Sequence, residues 1–215
     1  MNNPLGFVVS RRPYPPQEMF ELDGPDFVPC PELWSWIKQT FLDPDSPLFN
    51  EDHKHLMDYQ YPKIAVMWAA GGFEQKGRMV IGQAEKVMIN VGGWKKRRQE
   101  VQYEQWFGTQ PEYLITLDAY YCSQANDADF CALIEHELYH IAQEKDEWGT
   151  PKFSQSTGLP KLKIHGHDVE EFIGVVRRYG ASEDVKKMVE AANQRPEVAK
   201  SDIYHACGTC YLRVV

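Results

Sequence analysis

The chain has 215 residues, of which 43% are hydrophobic, 13% aromatic and 25% charged. This suits one well-buried core, leaves two full domains cramped, and argues against disorder. A net charge of −8 and a pI near 5.4 exclude a protein that coats nucleic acid through bulk positive charge.

Residues 1–29 contain six of the 14 prolines and cannot sustain a long helix or a central strand. They are expected to form an extended arm on the domain surface. No secretory apolar region and no apolar run of ~18 residues is visible, so neither a signal peptide nor a membrane partner is expected. From Pro31 to about Leu42, apolar residues recur at helical spacing, with Pro31 suited to the first turn. Residues 43–62 read as loop, and within them His53 and His55 read as exposed polar surface. A strand is expected from Lys63 to Ala69, followed by a turn at Gly71-Gly72. A second strand lies within Arg78 to Val91, where Gly82 suggests a bulge or bend.

Residues 94–108 read as a short helix carrying the dense basic run Trp94-Lys95-Lys96-Arg97-Arg98. That run reads as a solvated face, with a phosphate contact as the alternative. Tyr113 to Tyr121 is the best strand in the chain. The main helix begins at Asn126 or Asp127, which would cap it, and runs to about Lys145, before Gly149 and Pro151. A loop over 150–166 follows, then helices from Asp168 to Gly180 and from Ser182 to about Gln194. The five cysteines, odd in number and without a framework spacing, fit a reducing compartment.

The main helix contains His136-Glu137-Leu138-Tyr139-His140, an HExxH motif. Residues four apart on a helix share a face, so the imidazoles of His136 and His140 can converge on one cation. Neutral imidazole suits zinc, and Glu137 lies beside that face, within reach of a proton on water at the metal. Leu133, Ile134, Leu138 and Ile141 would turn the rest of the helix into the core. A catalytic zinc normally has three protein ligands and one open position. Residues 165–172 offer His165, His167, Glu170 and Glu171 as the third ligand, at the end of a loop long enough to fold back onto the helix.

HExxH followed by a loop, then by His167-Asp168-Val169-Glu170-Glu171-Phe172 and Val175 to Gly180, resembles the phage metallopeptidase family. The segments Lys76-Gly77-Arg78 and Gly82 to Val87 resemble that family's strand before the active helix. More distantly the pattern is similar to SprT-like zinc peptidases, where a late histidine followed by a short spacer and an aromatic residue supplies the third ligand. The resemblance covers roughly residues 60–180 and implies His167 as third ligand, Zn2+ as cofactor, Glu137 as general base and a peptide or protein as substrate. Asp168 is expected to cap the next helix or to orient a ligand histidine. Tyr139, Tyr179 and His165 are candidate oxyanion donors.

The expected fold is α+β and zincin-like: a small, mostly antiparallel sheet of about three strands, packed on the HExxH helix, with further C-terminal helices. The domain would span 30–200, after the arm of 1–29. A tail over 201–215 carries Cys207 and Cys210 with His205, which resembles half of a zinc ribbon lacking its second ligand pair; the pair reads as free thiols, with a site completed by Cys30 or a second subunit as the alternative. The expected function is a zinc-dependent peptidase, phage-encoded and acting in the bacterial cytoplasm. The alternatives are a non-catalytic, metal-stabilised interaction or virion-associated protein, or a DNA-associated SprT-like peptidase, which the acidic balance opposes.

Overall fold

The computed structural model describes residues 11–75, 78–169, 173–198 and 206–207. Its centre is a six-stranded mixed sheet: β1 (Phe27–Pro29), β2 (Ile64–Ala69), β3 (Phe73–Gln75), β4 (Arg78–Lys86), β5 (Tyr113–Asp118) and β8 (Ala206–Cys207). The order is β1-β2-β5-β4-β3, with β8 also paired to β4. A separate ribbon pairs β6 (Ile141–Gln143) with β7 (Leu162–Ile164).

The α+β class holds, but the sheet corrects the expectation of about three mostly antiparallel strands. Strand β2 runs parallel to β5, and β8 parallel to β4. The parallel pair arises because a β3–β4 hairpin and helix α2 (Gly93–Phe107) intervene between β2 and β5, giving the long crossover that parallel neighbours need. The strands of this sheet that sequence reading missed, β1, β3 and β8, and the ribbon strands β6 and β7 are two or three residues long, too short for a period-two pattern to register. Pro29 is tolerated in β1 because that strand is an edge.

Strands β2 and β5 are buried on both faces, which explains their near-continuous apolar sequences. On one face Ile64, Val66, Trp68, Ile115 and Leu117 join the main core with helix α1 (Pro31–Ile37) and helix α4 (Asp127–Tyr139). On the other, Ala65, Met67 and Leu114 pack under Phe107 of α2. Tyr103 and Trp106 of helix α2 pack partly buried against the same cluster, while its first turns are exposed. Lys96 and Arg97 pair with Glu100, and Arg97 also with Glu104, so part of its basic run is internally neutralised. The described part of the proline-rich arm gives β1 to the sheet and Met19 to the core. Arg12 donates to the Ala125 carbonyl at 2.6 Å and stacks over Phe130 at the start of α4.

Asn126 caps α4 by accepting from the Asp129 amide at 2.9 Å. The short helix α3 (Ala119–Gln124) takes over where β5 was expected to continue to Tyr121, because the Asp118 side chain caps its first amides. Helix α4 itself ends at Tyr139, not near Lys145. The backbone beyond it pairs with β7, and the carbonyls of His140 and Ile141 are taken by the His165 amide and the His55 ring. The last helices are α5 (Ile173–Tyr179) and α6 (Glu183–Asn193), the latter capped by Ser182. No helix among the described residues is long and apolar enough to cross a membrane.

Replacing Asn126 by Ala removes the α4 cap and should cost about 1 kcal/mol. Urea unfolding should show a lower midpoint with an unchanged slope.

A candidate metal centre

Helix α4 carries Phe130, Leu133, Ile134 and Leu138 as its buried stripe. This orientation fixes where the two motif histidines point. His136 Nε2 lies 3.3 Å from His140 Nε2 and 3.3 Å from His167 Nε2. The three ligand atoms all fall within 4.8 Å of one another, so His136, His140 and His167 form a group able to hold a metal ion. Burial grades across it: His140 is 2% exposed, His136 is half-buried and His167 is exposed.

His140 is held by its other nitrogen. Its Nδ1 sits 2.7 Å from the His165 carbonyl. A carbonyl can only accept, so Nδ1 carries the proton and Nε2 is left with its lone pair toward the cluster. The His165 amide in turn donates to the His140 carbonyl at 2.9 Å. His165 therefore acts through its backbone, while its ring Nε2 lies 3.1 Å from Asp168 Oδ1. Glu170 and Glu171 lie outside the described residues, as do His205 and Cys210.

Glu137 is 0% exposed. Its carboxylate is packed against the backbone of β4 at Gly82, where an added Cβ would overlap Glu137 Oε1 and stand 3.1 Å from its Cδ. The register irregularity at Val80–Gly82 fits the bulge expected there, but close approach of Glu137 is the stronger reason for glycine.

Residues 34–193 match the model of the family described as "Putative phage metallopeptidase". The chain belongs to this family. No curated protein and no solved structure matches it. Membership in a phage metallopeptidase family implies a metal ion, and the three-histidine group supplies a place for one.

In this family member the rear of α4 is braced by residues read as exposed surface. His53 is 0% exposed, its Nε2 lies 3.5 Å from Glu135 Oε1, and its ring meets Tyr139 at 4.5 Å. Asn50 donates to Glu135 at 2.7 Å, and Tyr139 donates to Asp52 at 2.8 Å. His55 Nε2 lies 2.6 Å from the Ile141 carbonyl, and burial lowers its pKa. The 3-10 turn Glu51–Leu56 thus corrects the surface reading of both histidines. The available signal was His53 and Leu56, three apart, which eclipse on a 3-10 turn and are both buried.

Tyr139 belongs to that rear network. Burial, with the bond to Asp52, pushes its phenol up to about 12. Tyr179 is exposed on α5, with Arg178 over its ring. Cys30 follows the edge strand β1, four strand positions from β8, which carries Cys207. Burial raises the Cys30 thiol to about 11 and Cys131 to about 12, so neither is a poised nucleophile.

Gly82→Ala should destabilise the fold by about 1–3 kcal/mol through overpacking. Adding Glu137→Ala should recover part of that loss, and a double-mutant cycle in urea measures the coupling.

Proposed function

We propose that this chain is a zinc-dependent peptidase in which His136, His140 and His167 hold the ion and Glu137 is the general base. The observation that carries the reading is the pair of 3.3 Å Nε2 separations centred on His136. Nitrogens about 2.05 Å from a tetrahedral zinc stand about 3.3 Å apart. Among the described residues the group has three ligand-type side chains, the usual number for a catalytic site with an open position. A structural site closed by a fourth protein ligand would favour the non-catalytic alternative.

The chemistry zinc supplies in such a site is Lewis acidity, which acidifies water and polarises a scissile carbonyl. Glu137 would accept the proton from the attacking water and deliver it to the leaving amine. Its burial keeps bulk solvent from competing for that proton. The Nδ1–H donation from His140 to the His165 carbonyl keeps the imidazole in the tautomer that offers Nε2. A cavity of about 610 Å³ adjoins the group, lined by His165, His167 and Asp168 and by Asp184, Lys187 and Met188 of α6. It is the side from which a peptide would approach. The sheet edge is a poorer entrance, since β4 already bears β3 and β8 over Arg78–Gly82.

Residues 30–200 are taken as the catalytic domain. The family's phage association and the free thiols of Cys30, Cys122 and Cys131 support action in the reducing host cytoplasm.

Purified protein should contain about one zinc per chain by elemental analysis. Glu137→Gln should keep that zinc and lower peptide turnover by about 10²–10⁴-fold. His140→Ala and His167→Ala should lose the metal. Full turnover in Glu137→Gln would remove Glu137 from the mechanism, and full zinc occupancy in His140→Ala would remove that ligand.

A further inference from the structure

A second cavity, of about 810 Å³, contains none of the three histidines. Its walls come from the ends of β4 and β5 and from the hairpin that joins β6 to β7. Four lysines line it: Lys63, Lys86, Lys152 and Lys161. Lys63 is paired with Glu112 at 3.4 Å and Lys161 with Glu144 at 2.9 Å. Lys86 and Lys152 have no ion pair among the described residues. Both act on Glu144 at longer range, adding to Lys161 in holding its carboxyl below the usual range. With Glu112 in its wall and Glu144 beside it pairing Lys63 and Lys161, the cavity keeps two lysines, Lys86 and Lys152, outside any ion pair among the described residues. Ser154, Ser156 and Thr157 add hydroxyls to the wall, and exposed Phe153 adds an aromatic surface.

Two paths along the backbone set the scale of its separation from the metal centre. Along β4, Gly82 touches Glu137, and Lys86 is four residues further on. Gly82 opposes Leu117 and Lys86 opposes Tyr113 in the β4–β5 ladder, so both lie on the face that α4 covers. Along the hairpin, His140 is bonded to His165, and Glu144 to Lys161, again four residues on. At about 3.3 Å per residue each path gives about 13 Å. An extended peptide covers that span in about four residues.

We propose that this cavity is a specificity subsite that takes an acidic side chain of the substrate, about four residues from the scissile bond. The inference rests on the peptidase reading and names the substrate class for the same site. Carboxylate is the ligand chemistry that the ammonium groups of Lys86 and Lys152 beside hydroxyls recognise, and the spacing assigns it to a residue of the bound peptide.

The test uses the full-length, zinc-loaded protein and synthetic peptides of one cleavable sequence. Each peptide carries Glu or Gln at one of six positions on either side of the cleaved bond, with free or amidated C-termini. Glu should exceed Gln by about tenfold in kcat/KM at one position about four residues away, through KM, and the advantage should shrink at high salt. Lys86→Gln with Lys152→Gln should abolish the preference and leave cleavage of the Gln peptide unchanged. Both side chains are exposed, so the fold should tolerate the change. Binding of the same peptides to zinc-loaded Glu137→Gln, read by calorimetry, should show the same preference without turnover. Cleavage with no acidic preference at any position would overturn the subsite while leaving the peptidase reading intact. A preference that depends only on a free C-terminus, or that survives in the double-lysine variant, would overturn it as well. Absence of cleavage of every peptide, with zinc bound, would overturn the peptidase reading and the subsite with it.

Discussion

The arrangement around the three imidazoles depends on one reciprocal pair of hydrogen bonds between His140 and His165. The ring of His140 donates to the carbonyl of His165, and the amide of His165 donates to the carbonyl of His140. These residues are far apart in sequence, at the last turn of α4 and at the return of the β6–β7 hairpin. The pair stops the helix, starts the ribbon and fixes a ring tautomer at once. It also sets the position of His167, two residues on, whose ring meets those of His136 and His140 with centroids 5.1 and 5.2 Å away. Without that registration the third imidazole would sit on a free loop, and gathering it would cost the entropy of closing that loop.

Helix α4 is held from several directions by segments remote in sequence. Arg12 bonds the Ala125 carbonyl and lies 3.3 Å from Asp127 at its start. The 3-10 turn around His53 braces Glu135 and Tyr139 from behind. Gly82 receives Glu137 from the sheet side. Residues that touch no ion can still fix the rotamers of those that do, and a site placed to a fraction of an ångström needs such support. The Asn50–Glu135 bond restrains the residue immediately before His136.

What could be read in the sequence follows from how local each signal is. HExxH places two imidazoles one helical turn apart by backbone geometry alone, so His136 and His140 were legible. Asn126 and Ser182 were legible as helix starts because capping is a three-residue interaction. His167 entered through family resemblance, since the residues themselves left four candidates open, and only the fold-back of the hairpin separates it from His165. The roles of His53 and His55 were illegible because their partners, Glu135, Tyr139 and Ile141, lie more than eighty residues away, as the 86-residue span of the His55–Ile141 contact illustrates. Helix α4 was read six residues too long because its sequence stays helix-compatible to Lys145, while the pairing that ends it is tertiary. The same cause hid the parallel register of β2 and β5, which no pattern within either strand encodes.

Burial across the site runs in one direction, and that direction constrains how a peptide could be hydrolysed there. Glu137 and His140 are inside, His136 is intermediate, and His167 faces the cavity bounded by α6. On the proposed reading, water would be activated from the sheet side and the scissile carbonyl would arrive from the α6 side, so base and substrate would not compete for space. The order also fits the arrival of the exposed histidine on the segment that follows the hairpin. A buried third histidine would have to displace core side chains packed under α4, whereas one on the returning loop completes the group after that core has formed. The exposed histidine lies two residues beyond His165, which makes the His140–His165 bonds a direct restraint on the geometry of the set.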